Sequence, residues 1–382
     1  MATDNYSQFD EIRPFNPSEL PAVYDRLLAS EQFRKVLTYL YPGVDMQTIA
    51  GMMHRCRTNL EFQKALCYPF LEQLLAKASH GCDMDASAID SGKRYTFVSN
   101  HRDIVLDSAL LDKMLIDNGF TTTCEIAIGD NLLSLPWVRD LVRVNKSFIV
   151  ERSLQPRQML MASKRLSEYM HLVISDKNDN IWIAQREGRA KDSDDRTQPS
   201  VLKMMAMGGD RNPIESLKQM HIVPLAISYE YDPCDYLKAR EFQLKRDVEG
   251  WKKSPQDDVE SMRVGIMGFK GRIHYHCAPC VDDWLESIGS TLPKTELFNA
   301  LAEEIDKRIF SSYRLYANNY VAAHKLGDTD YSDKFTKEEE ETFMRYIDGQ
   351  LTKIDIPDKD EEYLRERLLV MYANPLFNSL KG

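Results

Sequence analysis

One histidine and two aspartates stand together directly after a short apolar run. Asn100-His101-Arg102-Asp103-Ile104-Val105-Leu106-Asp107 follows the strand-like Tyr95 to Ser99 (YTFVS). A neutral imidazole is well matched to proton abstraction near pH 7, and a carboxylate behind it can fix its tautomer. Asp103 and Asp107 are both candidates for that carboxylate. The end of a strand in an α/β sheet is where such sheets place their reacting groups.

Other residues of the chain could serve the same site. Seven cations lie between Arg139 and Arg165, opposed only by Asp140 and Glu151, in a chain that is acidic overall. Among them the strand-like VNKSFIVER ends in Arg152, and a basic strand end suits a small anion such as a phosphate monoester. IWIAQREGR then runs from an apolar strand into Glu187-Gly188-Arg189, where the glycine permits a tight turn. Pro224 interrupts the apolar IVPLAISYE and suggests a strand start or a bulge. A His-Arg-Asp run also occurs in protein-kinase catalytic loops, but Ser108 occupies the place of their asparagine.

A rival site lies at Arg272-Ile-His274-Tyr-His276-Cys277-Ala-Pro-Cys280, where a Cys-x-x-Cys pair could do thiol redox chemistry or bind a metal. Strand alternation sets His274 and His276 on one face and Cys277 on the other, against four convergent ligands. The plainer reading is the last strand of a sheet followed by a turn.

The elements that must position these residues follow from periodicity. YTFVS, EIAIG, SFIVE, IWIAQ, IVPLAISYE and GRIHYHCAP read as strands, with helical stretches between several of them at 104–118 and 158–174. That alternation predicts an α/β fold with a mostly parallel central sheet flanked by helices. Residues 1–92 read as an N-terminal helical region, with a helix opening near Glu19 and Pro69 bending another. The stretch 79–93, rich in Gly, Ser and Asp, marks a boundary. The core is expected over 93–285 and a second helical region over 286–382. There Thr336 and Glu339 have the spacing of a capping box.

Composition narrows the classes. Of the 382 residues 43% are apolar and 28% charged, which is ordinary for a folded protein and excludes a disordered or collagen-like chain. A formal charge of -10 makes a nucleic-acid partner a poor fit. Seven scattered cysteines and a polar, acidic opening without a leader pattern point to a reducing, cytoplasmic setting. No apolar run approaches the roughly 20 residues of a membrane-spanning helix, so membrane contact is expected to be peripheral.

Taken in order, NHRDIVLD, SFIVER, IAQREGR and HIVPLAISYE resemble the motifs of the glycerol-3-phosphate and 1-acylglycerol-3-phosphate acyltransferase family. The resemblance covers about half the chain, from Tyr95 to Val281. It departs from the family pattern twice. Five residues, not four, separate His101 from Asp107, and no residue intervenes between Gly188 and Arg189.

The resemblance implies a fatty acyl transfer from acyl-CoA or acyl-ACP, the acyl carrier protein, to a hydroxyl of a glycerophosphate or lysophospholipid acceptor. His101 would be the general base, braced by Asp107, with Asp103 in reserve. Asn100, Arg102, Arg152, Glu187, Gly188, Arg189 and Pro224 would lie on the substrate side. A thioester has a good leaving group, so neither metal nor cofactor is expected, and both substrates should be bound together without an acyl-enzyme. Two alternatives remain: a different polar acceptor such as an amino-acid lipid, and a non-catalytic protein that binds lipid or acyl thioester.

Overall fold

The computed structural model describes residues 6–152, 154–288, 292–327 and 331–382; the first five residues, part of the acidic opening, lie outside it. Seven strands form one sheet: β1 (Cys82–Asp85), β2 (Thr96–Ser99), β3 (Cys124–Gly129), β4 (Ser147–Val150), β5 (Asn180–Ala184), β6 (Ile222–Tyr229) and β7 (Ile273–Cys277). Their order is β1-β7-β6-β2-β5-β3-β4. All neighbours pair in parallel except β6 with β7, so the sheet is mostly parallel, as the sequence predicts.

The central strands are buried on both faces, which is why they read as continuous apolar runs. On β2, Val98 packs into one apolar cluster and Phe97 into another on the opposite face. Pro224 sits inside β6 and not at its start. Its carbonyl accepts from Ala278, so its backbone edge faces β7 just beyond the β6–β7 ladder, whose pairing runs from Tyr229↔Ile273 to Leu225↔Cys277. The missing N–H therefore breaks no ladder bond.

Three differences from the sequence expectation concern extent. β1 lies inside the stretch read as a boundary, so the sheet begins at Cys82, ahead of residue 93. β7 is last in sequence but lies between β1 and β6. The helix Lys294–Ser311, placed by the sequence in the C-terminal region, packs Leu297, Leu301, Ile305 and Ile309 into the same apolar cluster as the sheet.

The N-terminal helices Leu20–Ala29, Glu31–Leu40 and Met46–Arg55 form their own cluster, which meets the core at Val144 and Trp137. A π-helical turn at Gln63–Cys67 immediately precedes Pro69, in the first turn of Tyr68–Ala78, so the proline sits where the regular helical ladder changes. Near the C-terminus, Ala317–Lys325, Lys337–Thr352 and Glu361–Ser379 pack around Phe343, Leu368 and Tyr372. The Thr336–Glu339 capping box is present. Among the described residues no helix is long and apolar enough to cross a membrane.

Candidate active site

The loop after β2 turns sharply into the helix Leu106–Asp117, and two carboxylates shape the turn. Asp103 accepts through Oδ1 from the amides of Val105 (2.9 Å) and Leu106 (2.8 Å), satisfying donors that the helix start leaves open. It is buried, and burial followed by the nearby Asp107 raises its pKa. Asp107, in the first helical turn, reaches back. Its Oδ2 accepts from the amides of Arg102 (2.6 Å) and Asp103 (3.0 Å) and lies 2.9 Å from Nδ1 of His101. Asp107 is therefore the partner of His101, and Asp103 is a helix cap.

This arrangement fixes the tautomer. A carboxylate oxygen that already receives two N–H groups is an acceptor, so Nδ1 must carry the proton and Nε2 of the neutral ring keeps its lone pair. The ring meets Trp182 edge-on, with centroids 5.6 Å apart, and lines a cavity of about 970 Å³. That volume is at the upper end of the roughly 300–1,000 Å³ typical of ligand sites.

The cavity has two chemically different ends. Its apolar wall comes from the N-terminal helices (Phe33, Val36, Leu37, Met53), from Phe62 and Leu66, and from Ile126 and Ile149 on the sheet. Its polar end gathers at the carboxyl ends of β2, β4 and β5, with His101, Arg152, Arg186, Glu187, Arg189 and Lys191. The sequence reading missed the N-terminal wall. Amphipathic periodicity shows that a helix buries one face, but not against what.

Arg152 lies against the backbone of Gly129, where a β-carbon would come within 2.8 Å of its Nε, and its guanidinium is 3.6 Å from Glu187. Gly188 has φ +70°, the left-handed turn its lack of a side chain allows. Arg189 follows, almost fully buried, and lines the cavity, with its Nη1 enclosed in the protein without a partner among the described residues. Lys191 pairs with Glu241 at 2.8 Å; burial, then Arg189, brings its pKa down to about 8.

Three residues expected on the substrate side are elsewhere. Asn100 is fully buried and behaves as a strand extension: Nδ2 donates to the carbonyl of Ile227 (2.9 Å) and Oδ1 accepts from its amide (2.8 Å). Arg102 is buried beneath the loop, where it interacts electrostatically with Asp195 and Asp232, and it does not line the cavity. Pro224 is in the sheet interior. Three of the seven cations of the basic run are occupied internally as well, and Arg139, Arg157 and Lys164 are exposed. Arg143 donates to the carbonyls of Arg13 and Asp10, Lys146 holds Asp179, and Arg165 holds Glu151. Only Arg152 of that run brings its charge to the cavity.

The Cys-x-x-Cys reading does not assemble. His274 and His276 face Asp83 and Asp85 across β1. Burial raises the pKa of both thiols, that of Cys280 to about 12, the reverse of a reactive thiolate. Cys280 instead neighbours His221 and Asp282 at the opposite end of the sheet from His101.

Residues 83–228 match the acyltransferase family model. The chain carries an acyltransferase domain. The protein is thus an acyltransferase enzyme, and the matched domain spans β1 to β6 with His101, Asp107, Arg152 and Arg189 inside it. Among solved structures the chain is similar to the 1-acyl-sn-glycerophosphate (LPA) acyltransferase PlsC from Thermotoga maritima, with 13% identity and a TM-score of 0.37 over 76% of this chain and 92% of that one. No curated protein matches the sequence.

Proposed function

We propose that this acyltransferase moves a fatty acyl group from a CoA or acyl-carrier-protein thioester to the hydroxyl of a glycerol-3-phosphate or lysophosphatidate-type acceptor, with His101 as general base. The observation that carries the reading is one imidazole, braced at Nδ1 by a buried aspartate, on the wall of a cavity that is apolar at one end and cationic at the other. The acyl chain occupies the apolar chamber. The acceptor phosphate meets Arg189 and Arg152, which both line the cationic end of the cavity.

Nε2 of His101 removes the acceptor's hydroxyl proton as the oxygen attacks the thioester carbonyl carbon. A tetrahedral intermediate forms, the C–S bond breaks, and the imidazolium returns its proton to the departing sulfur. Asp107 stabilises the imidazolium and keeps the ring in register. The nucleophile belongs to the substrate, so both substrates bind together and no acyl-enzyme forms.

The greasy substrate comes from a lipid surface that docks at the cavity mouth. Leu135, Met159 and Val259 are exposed there and also line the cavity, and Leu160 and Met161, 63% and 75% exposed, follow Met159 on the helix Pro156–Ser175. Leu160→Glu with Met161→Glu should weaken sedimentation with phospholipid vesicles while leaving turnover of water-soluble short-chain substrates intact.

The deciding assay sets glycerol-3-phosphate, lysophosphatidate and N-acyl amino acids side by side with acyl-CoA and acyl-carrier-protein donors, for wild type and His101→Ala. Loss of nearly all turnover in the variant supports the scheme. Full activity in His101→Ala, or a labelled acyl group trapped on the protein, overturns it.

A further inference from the structure

Beneath the catalytic loop lies a buried lysine that the reaction scheme does not use. Lys238, on the helix Asp235–Asp247, is 2% exposed at its side chain and lies beyond the matched domain. Its Nζ donates to the carbonyl of Arg102 at 3.1 Å and to a carboxylate oxygen of Asp232. A trans peptide group points its C=O and N–H in opposite directions. The peptide whose carbonyl Lys238 holds is the one whose N–H, that of Asp103, donates to Asp107 Oδ2. Lys238 thus clamps, from behind, a peptide group whose front face holds the carboxylate that orients His101. A cation on the carbonyl also polarises the peptide and strengthens its N–H as a donor.

The clamp is anchored to the end of the chain. Asp232 donates its amide to the hydroxyl of Tyr372 (3.0 Å), and that hydroxyl donates to Asp235 Oδ2 (2.7 Å). Tyr346 donates to the same oxygen (2.8 Å), and Gln350 donates to Asp235 Oδ1. Both Tyr346 and Tyr372 belong to the C-terminal helices, so these helices reach the catalytic loop through Asp232 and Lys238.

Resting on the proposed role of His101, we infer that Lys238 is a positioning residue for acyl transfer, holding the Arg102–Asp103 peptide so that Asp107 and His101 keep their alignment. The C-terminal helical region is through it part of the catalytic apparatus. Lys238 touches neither substrate, so its loss acts on the chemical step and not on binding.

The test compares Lys238→Met and the double variant Lys238→Met/Asp232→Asn with wild type and His101→Ala in the full-length protein. The double variant also removes the buried carboxylate charge that the single change deprives of its lysine, and it keeps the shape of Asp232. Expected for both is a 10- to 100-fold loss of kcat, with KM for donor and acceptor within about threefold of wild type. In the double variant that loss should persist when thermal stability is back near wild type. Wild-type kcat in a folded Lys238 variant, or a loss that appears only in KM, overturns the inference while the general-base reading stands. Activity retained in His101→Ala overturns both.

Discussion

Gly265, in the helix Pro255–Met267, lies so close to Asp103 that a β-carbon there would overlap the carboxylate Oδ2. Asp103 cannot swing aside, because its other oxygen holds the amides of Val105 and Leu106 and the residue is buried. Gly265→Ala should therefore push on the loop that carries His101. The expected cost is about 1–3 kcal/mol of stability, as for overpacked interiors, together with a fall in kcat. Thermal unfolding and steady-state kinetics on the same preparation check this; an unchanged kcat in the folded variant would sink it.

Asp107→Asn separates charge from geometry. Oδ1 of Asp107 is buried without a partner among the described residues, while Oδ2 carries all three contacts. The amide NH2 can take the vacant side and leave a carbonyl oxygen where Oδ2 was, so the loop should keep its shape. Only the charge that would stabilise the imidazolium in the proposed scheme is lost. A kcat loss of about 10²–10⁴ is expected, toward the size found when a triad aspartate is neutralised, with little change in unfolding temperature. Near-wild-type kcat would leave Asp107 a merely structural residue.

Arg189 and Arg152 give separable predictions for the acceptor. A buried guanidinium donor that meets a phosphate contributes about 1.5–3 kcal/mol, roughly 10- to 150-fold in affinity. Arg189→Gln should raise KM for a phosphate-bearing acceptor by that factor and leave KM for the acyl donor alone. Arg152 is partly offset by Glu187, so Arg152→Gln should have the smaller effect. Equal loss with a phosphate-free acceptor would mean that neither arginine reads the phosphate.

How much of this was legible beforehand depends on the residue. His101 could be singled out because a polar cluster at a strand's end stands out against apolar neighbours, and the alternation of strands and helices revealed the α/β class. The sequence puts Asp107 ahead of Asp103, and the structure bears this out, but what decides between them is the direction of the helix start, which brings Asp107 to the ring. The resemblance sets Asn100 on the substrate side, yet its amide completes a backbone ladder. β1 was missed because CDMD has no apolar run: as an edge strand beside β7 it is only partly buried. Lys238 gave no signal at all, being separated from Arg102 by 136 positions along the chain.

Asp235 should make stability depend on pH. Burial, and then the nearby Asp232 carboxylate, raises its pKa from the usual value to about 7. The folded state therefore holds this proton more tightly than the unfolded chain does, and between pH 4 and 7 rising pH removes stability. Asp235→Asn cannot lose a proton, so its stability should gain on the wild type's as pH rises from 5 to 8. Denaturant midpoints of both proteins at several pH values test this, and a constant gap between them would contradict the assignment.

The N-terminal helices make the last prediction, because they wall the chamber although they lie outside the matched domain. Val36, on the helix Glu31–Leu40, faces the cavity and is only partly buried, so a larger side chain there enters open space instead of a packed core. Val36→Phe should leave stability and medium-chain turnover near wild type. Long-chain donors, whose tails must reach the space the ring now fills, should lose kcat/KM by about tenfold, the effect of one or two methylenes denied their contacts. Profiling a series of acyl-CoA lengths on wild type and variant gives the answer. An unchanged profile would mean that the acyl chain runs elsewhere and that the roof of Phe33, Val36, Leu37 and Met53 shields the site without measuring the substrate.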